Sequence, residues 1–165
     1  MYPSKIYDLY DKVHFRRATN SDSSQIHLLV RRILNEFGFD YKANSSERDL
    51  NNIEETYINN GGDFIVIESD TGIILGTSAI LKIDEEECRL RKMYIDSEHR
   101  GFGLGKVLLI KCLLRAKQLG FKKIELETSV KMEAAIKLYK KYGFIETRTS
   151  NCDSQRCDIK MYKVL

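Results

Sequence analysis

Along the chain, apolar positions recur first at helical spacing and then at alternate residues. After Thr19-Asn20-Ser21-Asp22, whose short polar side chains suit a helix N-terminus, Ile26, Leu29, Val30, Ile33 and Phe37 fall on one face, and Gly38 ends the run. Residues 13–18, just before, read as a first strand. Ser46-x-x-Asp49 has the spacing of a capping box and predicts a second helix, with Leu50, Ile53 and Tyr57 inward and Asn60-Gly61-Gly62 as its stop. The pattern then changes to strands. Residues 64–68 and 73–83 are joined by a turn at Asp70-Thr71-Gly72, and Gly76 marks a bulge. The run Asp84-Glu85-Glu86-Glu87 makes a solvated hairpin tip, and residues 88–95 form the next strand.

The second half predicts a helix over 107–119 that ends at Gly120, a strand over 122–130, and a helix over 133–142 closed by Gly143. Strands over 144–149 and 157–164, joined by the polar loop 150–156, finish the chain. Residues 1–12 carry Tyr2, Tyr7, Leu9 and Tyr10, which suggest a short N-terminal helix laid on the body. The order β-α-α-β-β-β-α-β-α-β-β predicts one α/β (α+β) domain over residues 1–165, a mixed sheet with helices on both faces. The strand that returns after the 107–119 helix runs parallel to the one before it.

With 165 residues, 42% hydrophobic and 31% charged, the composition is that of a soluble globular domain with one core. A net charge of +3 is too mild to argue for a nucleic-acid partner, although it suits an anionic ligand. No apolar run approaches bilayer length, and Met1-Tyr2-Pro3-Ser4-Lys5 lacks a secretory apolar region, so a cytoplasmic protein with no membrane partner is expected. Cys88, Cys112, Cys152 and Cys157 match no zinc spacing, and His14, His27 and His99 are scattered. Free thiols and no metal are the expectation. Oligomeric state stays open between monomer and homodimer.

The candidate chemistry lies in Tyr94-Ile95-Asp96-Ser97-Glu98-His99-Arg100-Gly101-Phe102-Gly103-Leu104-Gly105-Lys106, between a strand and a helix. Glycines let the backbone turn sharply and approach a ligand, and a helix N-terminus offers unpaired N–H groups, so the stretch is a candidate anion site, with a tight structural turn as the competing reading. It is not a P-loop, which would need glycine at Arg100 and Ser or Thr at Val107. Nor is it a dinucleotide fingerprint, because Lys106 and Leu108 stand where small residues are required. Downstream stands Met132-Glu133-Ala134-Ala135-Ile136-Lys137-Leu138-Tyr139-Lys140-Lys141-Tyr142-Gly143-Phe144. Arg-Gly-x-Gly-x-Gly followed by Ala-x-x-Leu-Tyr-x-x-x-Gly-Phe resembles the two motifs of the GNAT superfamily of acyl-CoA N-acyltransferases, and the order of elements matches over nearly the whole chain.

That resemblance implies a mostly antiparallel sheet with a splay between two central parallel strands, acetyl-CoA as acyl donor, and an amine-bearing acceptor acetylated by direct transfer. It implies that amides of Arg100, Gly101, Phe102, Gly103, Leu104, Gly105 and Lys106 bind the pyrophosphate. The pantetheine arm would pair with the strand edge at Met93, Tyr94 and Ile95, near Met132, Ala135 and Tyr139. Tyr139 would be the acid for the leaving thiolate, although its helical spacing with Leu138 and Ala135 equally suits a core residue. A non-catalytic acyl-CoA-binding regulator on the same fold is the alternative function.

Two departures stand out: Met132 replaces the family asparagine, and Arg91 replaces the strand glutamate of many relatives. An arginine cannot act as a base at neutral pH. Glu127 is therefore the candidate base, with Glu36 and Asp158 as further carboxylates. Arg89, Arg91 and Met93 share a strand face by period two, so the pair of arginines suits an anionic group of the acceptor, and Arg91 and Asp158 are the candidate acceptor-binding residues. An ion pair of Arg91 with Glu127 or Asp158 is the competing reading. Cys157 is a poor candidate nucleophile.

Overall fold

The computed structural model describes residues 9–147 and 156–165, so the expectations for Tyr2 and Tyr7 and for residues 148–155 lie outside the described residues. Seven strands form one sheet: β1 (Val13–Arg17), β2 (Asp63–Ser69), β3 (Ile74–Lys82), β4 (Glu87–Ile95), β5 (Lys123–Thr128), β6 (Ile145–Glu146) and β7 (Ile159–Val164). Their order is β1-β2-β3-β4-β5-β7-β6. Every neighbouring pair is antiparallel except β4 with β5, which are joined through the helix α2 (Leu104–Gln118). The helix α1 (Ser23–Glu36) follows β1, and α3 (Glu133–Lys141) follows β5.

The helical periods place the core. On one face of the sheet, Ile26, Leu29, Val30 and Ile33 of α1 pack with Phe64, Val66 and Ala79. On the other, Leu109, Cys112 and Ala116 of α2 meet Cys88, Leu90 and Leu126, and α3 contributes Tyr139. Each large side chain so buried contributes about 1.5–3 kcal/mol.

The second helix is corrected. It is a short 3-10 turn, Arg48–Asn51, followed by a π turn, Glu54–Ile58. No side chain caps the first turn, because the Asp49 carboxylate is taken up by Tyr57, Arg91 and Lys92. Gly62 then passes so close to β3 that a Cβ would stand 1.9 Å from the Ile80 carbonyl oxygen, which accounts for the glycine stop. Of the strand expected over 144–149, the described residues show Ile145–Glu146, paired with Tyr162 and Met161.

A bulge lies beside Gly76, where Ile67 pairs with Gly76 but Glu68 pairs with Ile74. A second bulge has no sequence signal. Thr77 pairs with Tyr94 while Ala79 pairs with Arg91, so Lys92 and Met93 together oppose Ser78. Lys92 takes φ 52°, in the left-handed region. The extra residue reverses the alternation. Arg91 and Tyr94 both face the α1 side, where Tyr94 packs with the α1 core, whereas Met93 packs with the α2 cores. The expectation that Arg89, Arg91 and Met93 share a face therefore fails at Met93.

Candidate active site

The parallel pairing of β4 with β5 runs from Glu87↔Lys123 to Leu90↔Leu126, where it stops. Beyond it, β4 stays paired with β3 through Tyr94 and Ile95. Its other edge, over residues 91–95, therefore opens away from β5. This is the splay that the motif resemblance implied.

The glycine loop lies at the end of that edge. Gly101 and Gly103 have φ 83° and 85°, and Gly103 is the left-handed residue that begins α2. A Cβ at Gly101 would meet nothing within 4 Å, and Gly101, Gly103 and Lys106 are exposed. The first turn of a helix leaves its N–H groups without intrahelical partners. Here the Val107 N–H bonds the Gly103 carbonyl at 3.1 Å, while the Arg100 N–H donates to the Ser97 carbonyl at 3.4 Å, so the Arg100 amide, expected among the pyrophosphate donors, already has a partner. The Tyr10 hydroxyl braces the loop by donating to the Phe102 carbonyl at 3.2 Å.

Arg100 is held sideways. Its Nε donates to the Ile95 carbonyl at 2.9 Å, and Nη1 pairs with Glu36 at 2.8 Å. One turn earlier on α1, Arg32 pairs with Asp96, which also accepts from His99 Nδ1 at 2.9 Å. Helix α1 thus holds the stretch before the glycines at Asp96 and at Arg100. Glu36 has its partner at the loop and is not on the wall of the cleft described next.

On the α1 side, the open edge faces a cleft of about 530 Å³, within the range of small-molecule sites. Leu34, Phe39, Tyr94, Glu127 and Met132 form much of its wall, with Asp49 and Arg91 at its charged end. Glu127 is 9% exposed and lies 3.8 Å from Arg89, whose Nε donates to Glu125 at 2.7 Å. Arg91, 32% exposed, lies 3.3 Å from Asp49 rather than against Glu127 or Asp158. Behind it, Lys92 is buried against Glu47 and stands 3.1 Å from Asp49, and Arg156 pairs with Glu47 at 2.5 Å. Burial alone would raise the Glu47 carboxyl, but Lys92 and Arg156 bring it below its ordinary value. The Tyr94 phenol is pushed up to about 12, by burial first and then by the charge of Glu47, against Arg156 and Arg91.

The remaining sequence candidates separate. Tyr139 is 5% exposed and lies in the core on the α2 side, its ring 5.6 Å from that of Phe144. Burial raises its phenol well above the ordinary value, with Tyr94 and Cys112 adding to the effect. Ala135 is partly buried beside it. Asp158 accepts from the Ser129 hydroxyl at 2.5 Å and the Val130 N–H at 3.1 Å, which closes the turn after β5 and leaves it off the cleft wall. Cys157 is disulfide-bonded, so the free-thiol expectation fails there and its thiol is no nucleophile. Cys88 and Cys112 are free, buried and pushed up to about 12 by burial. Among the described residues, no His, Cys, Asp and Glu cluster is arranged to hold a metal, and no helix is long and apolar enough to cross a membrane.

The sequence reading missed Asp49, Glu47 and Lys92. Asp49 looked like a capping residue, and Lys92 reaches the α1 side only through the bulge.

Comparison with known proteins agrees with this architecture. The model of the family described as "Acetyltransferase (GNAT) family" matches residues 30–144. The chain is 29% identical over 157 residues to the uncharacterized N-acetyltransferase YjgM of Escherichia coli, covering 91% of this chain and 93% of that protein. It is 33% identical over 125 residues to the probable N-acetyltransferase family 8 member 5 of Mus musculus, covering 73% of this chain and 55% of that one. A crystal structure of a GNAT-family acetyltransferase from Staphylococcus aureus Mu50 superposes with a TM-score of 0.86 at 26% identity, covering 92% of this chain and 98% of that chain.

Proposed function

The chain belongs to the GNAT acetyltransferase family and is an acetyl-CoA-dependent acyltransferase, and from that premise we propose that it acetylates a primary amine of a small molecule or peptide by direct transfer. The observation that carries this reading is the open β4 edge, which begins where pairing with β5 ends at Leu90 and leads to the exposed glycine loop.

Acetyl-CoA supplies the acyl group, activated as a thioester. Amides of the loop, from Gly101 to Lys106, hold its diphosphate, and the Lys106 ammonium adds charge. The open space at Gly101 supports this fit, since no side chain occupies the approach. Amides at Met93, Tyr94 and Ile95 pair with the pantetheine arm beside Met132 and Ala135. One of them faces the thioester carbonyl, where negative charge grows as the amine attacks. The new C–N bond forms as the C–S bond breaks. Glu127, in the cleft wall, takes the proton that leaves nitrogen. Tyr139 hydrogen-bonds the departing sulfur, and burial keeps its phenol protonated through neutral pH. Arg91 serves an anionic group of the acceptor by exchanging its contact with Asp49.

The test is thiol release from acetyl-CoA in the presence of a panel of amines. Amine-dependent release supports the reading. Tight binding of coenzyme A without release for any amine would overturn it in favour of a binding regulator.

A further inference from the structure

Asp49 is the carboxylate that the strand lacks. Arg91 occupies the strand position expected to hold an acid, and Asp49, from the facing 3-10 turn, lies 3.3 Å from it. Arg91 is also the first β4 residue past the last β4–β5 pair, so Asp49 sits over the mouth of the splay. Its side chain is 10% exposed and lines the cleft. Its two oxygens differ. Oδ2 accepts from the buried Tyr57 hydroxyl and faces Arg91. Oδ1 is buried and makes no hydrogen bond within the structure; Lys92 Nζ lies 3.1 Å away but without hydrogen-bonding alignment. A buried acceptor atom without an aligned hydrogen bond is costly, and a ligand N–H that reaches it recovers part of that cost.

Building on the acetyltransferase reading, we infer that Asp49 Oδ1 receives an N–H of the attacking amine, and that the acceptor binds as a neutral amine. Arg91 and Lys92 already meet the charge of Asp49, with Glu47 on Lys92, so a further ammonium finds no uncompensated carboxylate there, whereas a neutral amine brings donors without charge. Tyr57 fixes the carboxylate so that Oδ1 keeps its direction. Amines of low basicity meet this condition. An α-amino group, with a pKa of about 7.7–8.0, is appreciably neutral at pH 7, while a lysine-type amine at about 10.4 is not. The acceptor class is thus an α-amine, as on an amino-acid derivative or a peptide N-terminus.

The test uses the full chain with triglycine amide and spermidine as acceptors, Asp49→Asn and Tyr57→Phe as variants, and Asp70→Asn, exposed in the turn after β2 and off the cleft, as a control. For triglycine amide, Asp49→Asn is expected to raise the acceptor KM at least tenfold, with the acetyl-CoA KM unchanged. Tyr57→Phe, which keeps the carboxylate, is expected to raise it about threefold, and the control is expected to be silent. Triglycine amide is expected to exceed spermidine in kcat/KM at pH 7. In a readout independent of turnover, the ¹³C carboxyl resonance of Asp49 in the coenzyme A complex is expected to move on addition of triglycine amide. A still resonance, an unchanged acceptor KM in both variants, equal rises in both KM values, or a preference for spermidine overturns the inference. Loss of coenzyme A binding or of all thiol release would instead remove the acetyltransferase reading beneath it.

Discussion

The ammonium of Lys92 is buried against the carboxylate of Glu47, with their side chains 3% and 0% exposed. The bulge in β4 makes this contact possible, because it turns Lys92 toward the α1 side instead of the α2 core. Breaking a buried pair from one side leaves a charge without compensation.

Lys92→Met is therefore expected to destabilise the fold by about 3 kcal/mol, measured by urea denaturation. The pair also sets an acid limit. The native Glu47 carboxyl lies below its ordinary value of 4.5, so its stabilising contribution is complete above that value and is lost as pH falls through the native value. Wild-type Tm is expected to decline only below about pH 4.5, and the acid decline of the Lys92→Met variant to be smaller, because Glu47 there has lost the cation that chiefly lowers its native value.

Gly101→Ala isolates backbone geometry from packing. The added methyl meets nothing, but φ 83° strains any residue with a Cβ by about 1–2 kcal/mol. The exposed loop relieves that strain by relaxing, and regains its shape only on binding. Calorimetry is expected to show coenzyme A affinity reduced about tenfold with Tm nearly unchanged.

Met132 holds the N-cap position of α3 and makes no side-chain cap bond. Asparagine there accepts from the first-turn N–H groups. Met132→Asn is expected to raise stability by about 1 kcal/mol and Tm by about 3 °C in a thermal melt.

Tyr139→Phe keeps the ring against Phe144 and removes only the hydroxyl. Thiol release is expected to slow by about ten- to a hundredfold in kcat, with the acetyl-CoA KM and Tm held. Because burial lifts the phenol above its ordinary value of 10.0, wild-type activity is expected to show no basic limb from this group up to pH 10.

Much of the fold was legible because long periodic runs carry it. The Ile26–Leu29–Val30–Ile33 stripe, the glycine stops, and the strand-turn-helix around Gly101 all read correctly from local pattern. What escaped were effects set by distant partners. Asp49 has the spacing of a capping residue, yet Tyr57, Arg91 and Lys92 claim its carboxylate. Strict alternation put Met93 with Arg91, yet one extra residue opposite Ser78 sends it to the other face. Neither the ion cluster nor the bulge leaves a periodic trace. The cleft acids therefore became visible only in three dimensions, whereas the glycine loop, a local motif, was visible at once.

The central claim is that amides of the glycine loop hold the diphosphate of coenzyme A. The most direct measurement is the ¹H–¹⁵N spectrum during titration with coenzyme A. The amides of Gly101, Gly103 and Gly105 are expected to show the largest shifts, saturating together with those of Tyr94 and Ile95 on the open strand edge. Saturable binding with the three glycine amides unmoved, or no binding at all, would contradict the account.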